Sequence, residues 1–255
     1  MIPPVSTSAF YAICSEAAGV ADSLLLEKNG GTNSSIVTFK GNLFALGLFI
    51  SPIPTFKRIA KNRSTEQFSG LPYVYSLLNC LICFWYGLPC VAHGVILIAT
   101  VNSIGAIFQL VYVVLFIKYA DKTNKLKMAG LLILVFCAFV LIICVSLELF
   151  DNGRRQMFVG YLNVASLISM FASPLFIINL VIRTRSVEFM PFYLSLSTFL
   201  MSISFFAYGM LKHDFFVYMP NGIGTILGVI QLLLYAYYSR KSREDCRLPL
   251  LVSCE

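Results

Sequence analysis

Asn102 and Asn221 are carboxamides set inside apolar runs, in the matched contexts Asn-Ser-Ile-Gly and Asn-Gly-Ile-Gly. An amide offers donors and an acceptor together, and in hydrocarbon it is costly unless paired. Two such groups suit a ligand rich in hydroxyls; the competing role is an interhelical hydrogen bond that holds a bundle together. Their recurrence at equivalent positions favours the ligand. Pro52, Pro72, Pro174 and Pro191 recur in the same way. Proline removes a backbone donor and crowds the preceding turn, so four prolines in register predict hinges for a gate. Alone, each would mark only a helix end or a packing bend. Tyr86 and Asp214 fall near the opposite ends of their helices, as an outer latch or a rim hydrogen bond.

Missing chemistry narrows the reading further. Glu148 lies near a helix end, and His93 and His213 fall in or beside loops. A proton-coupled carrier needs a titratable group within the membrane, and a voltage sensor needs a ladder of arginines. No nucleophile–base pair is evident, so catalysis is not expected, and no cofactor is implied. Cys80 and Cys83 form a C-x-x-C without a second pair at zinc spacing, and the eight cysteines read as small apolar residues. The remaining chemistry is neutral, amide-rich and aromatic, which suits an uncharged polar solute moving down its own gradient.

Composition says what positions these groups. The chain has 255 residues, 58% hydrophobic and 12% charged, with mean hydropathy +0.81. Soluble domains carry about 25% charge, so this surface must face lipid. Spanning helices need about 20 apolar residues. Such runs occur at Gly41–Ile59, Leu71–Ala92, Val95–Tyr119, Leu126–Phe150, Phe158–Ile182, Phe189–Leu211 and Phe215–Tyr238. Residues 239–255 form a polar tail, expected to be disordered. Of the 19 basic residues, 14 follow the first, third, fifth and seventh helices. The positive-inside rule then puts the amino terminus outside or in the lumen and the carboxyl terminus in the cytosol. The net charge of +7 sits in these short clusters and not along one face, which excludes a nucleic-acid partner.

The helices form a repeat. Ser51-Pro52 and Arg63-Ser64-Thr65-Glu66 return as Ser173-Pro174 and Arg185-Ser186-Val187-Glu188 at an offset of 122. Pro72 and Asn102 return as Pro191 and Asn221 at an offset of 119, and Tyr86-Gly87 returns as Tyr208-Gly209. The predicted fold is an all-α membrane protein of 3+1+3 helices. Residues 41–119 and 158–238 are the three-helix repeats, and 126–150 is an unpaired linker helix that gives both repeats the same orientation, a parallel repeat.

These residues resemble the plant SWEET (MtN3/saliva) sugar transporters, most closely the vacuolar, glucose-handling clade. The markers are Phe-Ile-Ser-Pro at 49–52, Thr-Phe-Lys-Arg-Ile at 55–59, Ser-Thr-Glu-Gln-Phe-Ser-Gly-Leu-Pro-Tyr at 64–73, Leu-Leu-Asn-Cys at 77–80, Trp-Tyr-Gly at 85–87, Ala-Ser-Pro-Leu at 172–175, Ser-Val-Glu-Phe-Met-Pro-Phe at 186–192 and Pro-Asn-Gly at 220–222. The resemblance implies facilitative, bidirectional sugar transport by alternating access, with the sugar held between the repeats. It places the family's proline tetrad on Pro52, Pro72, Pro174 and Pro191, and its sugar-contacting asparagines on Asn102 and Asn221. Further pocket positions fall on Leu48, Asn79, Cys83, Met170, Met201 and Phe205. Many members carry tryptophan where Phe205 stands, and serine or tryptophan where Cys83 stands. The smaller side chains here favour a monosaccharide over a disaccharide. Homo- or hetero-oligomers with related transporters, in the plasma or vacuolar membrane, are also implied.

One departure is large. In the family, a stretch like Glu16-Ala-Ala-Gly-Val-Ala21 runs directly into one like Gly41-Asn-Leu-Phe44. Here residues 22–40 intervene within the 1–40 amino-terminal segment, and carry an Asn33-Ser34-Ser35 glycosylation sequon. They read as a retained intron or alternative exon. Sequencing the transcript across codons 21–41 tests this, and a dominant, uninterrupted mature message would overturn it. The alternatives to a sugar carrier are a pore or carrier for another small neutral solute, and a seven-helix receptor. A receptor does not predict the internal repeat.

Overall fold

The computed structural model describes residues 45–252, except 67, 186, 188, 189 and 191. The amino-terminal segment, its 22–40 insertion and the sequon therefore lie outside the described residues. What is described is helical, with no strand. After a helical turn at 45–50 come α1 (Ile53–Asn62), α2 (Leu71–Tyr86), α3 (Ile96–Tyr119), α4 (Lys122–Glu148), α5 (Asn152–Met170), α6 (Ala172–Thr184), α7 (Phe192–Leu211) and α8 (Phe215–Val252). These make seven passes, because 45–62 and 152–184 are each one pass with a break. Five stretches are long and apolar enough to cross a membrane, and α2 is a shorter apolar helix.

Both breaks have a proline as their cause. The first pass, expected as one helix over Gly41–Ile59, is interrupted at 51–52 and restarts behind Pro52, the N-cap of α1. Pro52 has no N–H for the Leu48 carbonyl. That oxygen instead accepts from the Ser51 hydroxyl at 2.8 Å and the Ser51 N–H at 3.3 Å. The fifth pass breaks at Phe171, where Pro174 cannot bond the Met170 carbonyl. Pro72 has a different role: it stands in the first turn of α2, where a missing N–H costs nothing.

Two ends differ from expectation. The linker helix begins at Lys122, four residues early, because the Asp121 carboxylate accepts from Asn124 N and Nδ2 at 3.3 and 2.6 Å. This is ordinary N-capping, and the same bonds hold the Asp121 carboxyl below its usual range. The expectation of a disordered tail from 239 is corrected: α8 continues to Val252. Arg, Lys, Glu and Leu dominate that stretch, all good helix formers.

The chain divides into two compact units, one spanning Ala45–Pro174 and the other containing the segment from Leu175. In the first, Phe56, Ile59, Val74, Leu77, Tyr112, Val113 and Phe116 form a buried core joining α1, α2 and α3. In the second, Val181, Met190, Phe192 and Tyr235 pack together. The repeat is visible in each unit's backbone. Left-handed residues cap equivalent helix ends, Arg63 at φ 50° and Arg185 at φ 51°, and equivalent turns, Gly94 at φ 82° and His213 at φ 52°. Gly87 lets α2 approach α3 so closely that a Cβ would sit 2.4 Å from Ala99 N; at Gly209 it would sit 2.6 Å from Tyr218 N.

Linker helix α4 carries Leu126, Ile133, Leu134, Val140 and Leu141 more than half exposed. A mean hydropathy of 3.2 makes lipid the only solvent for that face. Polar ties hold its far end. Trp85 Nε1 donates to Ser146 Oγ at 3.0 Å, and Arg155 donates to the carbonyls of Ser146, Phe150 and Cys90 at 2.9, 3.2 and 3.0 Å and to Asn152 Oδ1 at 3.2 Å.

Candidate functional site

Asn102 and Asn221 are each half-buried, one on α3 and the other on α8. The two amides behave alike. Asn102 Nδ2 donates to the Ile98 carbonyl at 2.9 Å, and Asn221 Nδ2 donates to the Val217 carbonyl at 2.8 Å. Each bond runs back one turn along its own helix, and the acceptors are themselves repeat equivalents. A carboxamide has two N–H donors and a carbonyl with two lone pairs. One donor is committed to the helix that carries it, which leaves the second donor and the oxygen. Among the described residues, neither amide has a hydrogen bond to another helix, which was the competing role. A preset, partly solvated amide suits a hydroxyl, which both donates and accepts.

Asn79 and Cys83 do something different. Both are buried on α2, where they meet α5. Asn79 Oδ1 accepts from Ser166 Oγ at 2.9 Å, and Cys83 Sγ donates to Asn163 Oδ1 at 2.8 Å, with Asn79 Oδ1 at 3.9 Å from the same sulfur. One turn further along, the Tyr75 hydroxyl is hydrogen-bonded to Ser169 Oγ and lies 3.4 Å from the Ser166 carbonyl. Asn79 and Cys83 thus belong to a polar seam between α2 and α5 in which Asn163 and Ser166 are equal members.

Asn163 and Ser166 do not stand out by recurrence, because at an offset of 122 these two fall on Gly41 and Phe44. Their own spacing was the missed signal, since 163, 166 and 170 lie along one face of a helix and carry Met170 into the same stripe.

Other expected positions are placed individually. Leu48 and Met170 are half-buried and stand immediately before the two helix breaks. Each is the residue whose carbonyl a proline fails to bond. Met201 is half-buried and Phe205 is buried at 8% exposure, both on α7. Leu48 and Met170, Asn79 and Met201, and Cys83 and Phe205 are three pairs at an offset of 122. Pro52 and Pro174 lie at breaks, Pro72 begins a helix, and Pro191 lies outside the described residues. Tyr86 and Tyr208 are fully buried equivalents. Asp214 Oδ1 accepts from Phe216 N at 3.0 Å, so its carboxylate caps α8 at least as much as it could latch anything. Among the described residues, no three His, Cys, Asp or Glu side chains could share a metal ion.

In the loop between α1 and α2, Arg58 grips Glu66 in a fork, Nη2–Oε2 at 2.6 Å and Nε–Oε1 at 3.1 Å, and Asn62 Nδ2 donates to Oε1 at 2.7 Å. These bonds hold the Glu66 carboxyl below its ordinary value of 4.5. The fork is therefore complete above that value and lost only as the pH falls through the lowered one. It ties α1 to the loop that carries the shared Arg-Ser-x-Glu motif.

Broken apolar helices and a pair of repeat-equivalent amides define a repeat-built helical membrane protein. The known proteins it resembles narrow that class. The family model described as "Sugar efflux transporter for intercellular exchange" (MtN3_slv) matches residues 35–124 and 157–243. The bidirectional sugar transporter SWEET2a of Oryza sativa subsp. indica is 64% identical over 96% of this chain and 93% of its own length. SWEET2a of Sorghum bicolor is 69% identical over 84% of this chain and 88% of its own. A solved structure of a eukaryotic SWEET transporter superposes with a TM-score of 0.80 at 62% identity, covering 81% of this chain and 97% of that one. The chain belongs to the MtN3/saliva (SWEET) family.

Proposed function

We propose that this protein is a facilitative, bidirectional sugar transporter that works by alternating access, with glucose or another monosaccharide as its substrate. The observation that carries the proposal is the matched pair of amides, Asn102 and Asn221, each held by one bond to its own helix and each with hydrogen-bonding capacity left over. The names of its relatives support sugar as the solute class. Smaller side chains at Cys83 and Phe205 support a monosaccharide. Leu48, Asn79, Met170 and Met201 complete the proposed contact set, and the prolines at 52, 72, 174 and 191 are the proposed hinges, with Tyr86 and Asp214 at the opposite end. The proposed solute is neutral and the seven apolar runs carry no Asp, Glu or His near mid-span, which supports flux driven by the sugar gradient alone.

The charge pattern supports a cytosolic carboxyl terminus, and likeness to the vacuolar clade supports the vacuolar membrane over the plasma membrane. The test is uptake of labelled glucose by proteoliposomes with no imposed ion gradient. Losing one neutral hydrogen bond from a partly buried site costs about 0.5–1.5 kcal/mol, and leaving its partner unpaired costs about 1–3. Asn102→Ala and Asn221→Ala should each slow uptake by about 3- to 100-fold. If both variants transport glucose like the unaltered protein, the site assignment is wrong.

A further inference from the structure

The break at Ser51-Pro52 releases the carbonyls of Leu48 and Phe49, among others, and the protein treats these two differently. The Leu48 oxygen is satisfied locally by Ser51. The Phe49 oxygen would take the Ile53 N–H in an unbroken helix, but Ile53 is the first residue of α1, outside its hydrogen-bond ladder. Instead, the Tyr112 hydroxyl donates to the Phe49 oxygen at 2.6 Å. That donor comes from α3, sixty-three residues away in sequence.

The Tyr112 ring is committed to the other side of the same break. It stacks on Phe56 with centroids 4.6 Å apart and an interplanar angle of 16°, and Tyr73 of α2 packs against both rings at 5.0 and 5.7 Å. Tyr112 and Phe56 are buried. A single side chain therefore holds the Phe49 carbonyl before the break by its hydroxyl and the first turn after it by its ring. Two turns back on α3, Gly105 admits Phe49 so closely that a Cβ would lie 2.5 Å from its ring. Phe49 is pinned at two points on one helix. The equivalent of Tyr112 in the second repeat is Gln231, which has no ring to stack.

We propose that Tyr112 is a positioning residue for transport: its hydroxyl fixes the bend at Pro52 and thereby the angle of α1 to the half of the pass that carries Leu48. It touches no sugar and acts through the backbone of the first pass. The proposal rests on the transporter reading only for its consequence, not for its geometry.

Tyr112→Phe keeps the ring and deletes the hydroxyl, so the core should stay packed. Hydrogen–deuterium exchange of the full chain in lipid nanodiscs should show the amides of residues 53–57 exchanging about 2- to 10-fold faster, the factor for one neutral hydrogen bond, with α4 unchanged. In proteoliposomes the maximal rate of glucose exchange should change at least twofold while the half-saturating concentration stays within twofold. Pro52→Ala supplies the decisive background. It returns an N–H to the Leu48 carbonyl and lets Ile53 bond the Phe49 carbonyl, while Pro54 still leaves the Ile50 carbonyl without its partner, so adding Tyr112→Phe should then leave exchange at 53–57 unaltered. Unchanged exchange in the single variant, or the same acceleration with and without Pro52, overturns the proposal. Faster, Pro52-dependent exchange in a protein that moves no glucose would uphold the latch and sink the transporter reading instead.

Discussion

At Gly87 and Gly209 the absence of a side chain is a requirement of packing. A Cβ would sit 2.4 Å from the Ala99 nitrogen in one case and 2.6 Å from the Tyr218 nitrogen in the other, and both obstacles are backbone, which cannot rotate away. The tyrosine before each glycine is fully buried, so the helix cannot simply roll. Gly87→Ala and Gly209→Ala should each destabilise the protein by about 1–3 kcal/mol, the range for overpacking a filled interior, measured as a loss of thermal stability in detergent. Gly130, in the linker, has nothing within 4 Å of its virtual Cβ, and Gly130→Ala should be neutral or mildly stabilising. Equal effects at all three positions would contradict the close-approach account. Asn102 and Asn221 belong to this scale too, since hydrogen bonds of 2.9 and 2.8 Å commit one donor of each amide to its own helix.

At the scale of elements, the linker helix shows how a segment with little polar character is still anchored. Lipid attracts all of its faces alike, so the hydrophobic effect cannot choose its rotation. The directional bonds at its far end do. Arg155 ends on the carbonyls of Ser146, Phe150 and Cys90, and a planar fork of five donors serves several acceptors where an ammonium would serve fewer. Arg155→Ala should cost about 1.5–3 kcal/mol, the range for hydrogen bonds to a charged group, and Arg155→Lys should recover less than half of the lost thermal stability. Full rescue by lysine would show that charge alone matters there.

How much of this was legible beforehand follows the same physics. Seven apolar passes, the unpaired linker and the paired prolines and asparagines were readable because hydropathy and recurrence are properties of the chain itself. The breaks at 51–52 and 171 were half legible: prolines announced them, but whether a proline bends a helix or begins one depends on its neighbours, and Pro72 begins one. The seam of Asn163 and Ser166 with Asn79 and Cys83 was not legible by recurrence, because at an offset of 122 these four residues fall on Gly41, Phe44, Met201 and Phe205. Nor was the Tyr112–Phe49 bond, which joins residues sixty-three apart through a carbonyl that is free only because the helix is broken. The carboxyl-terminal continuation of α8 was misread because charge was taken for disorder, although charged residues are also good helix formers.

At the scale of the whole molecule, one three-helix design serves twice, and the copies differ in use. The same left-handed caps, the same glycine approaches and the same self-bonded amides recur. The α2–α5 seam joins the second helix of the first repeat to the first helix of the second, and the Arg58–Glu66 fork lies in the first repeat, where at an offset of 122 Arg58 falls on Leu180. The proposed alternating access needs one half to move against the other, which a fixed pore does not. The direct measurement is counterflow of labelled glucose in proteoliposomes loaded with unlabelled glucose. A carrier that must return its site before reloading shows uptake accelerated by sugar on the opposite side, with a transient overshoot. Uptake that is indifferent to internal sugar would contradict alternating access, and no uptake at all would contradict the assignment to sugar.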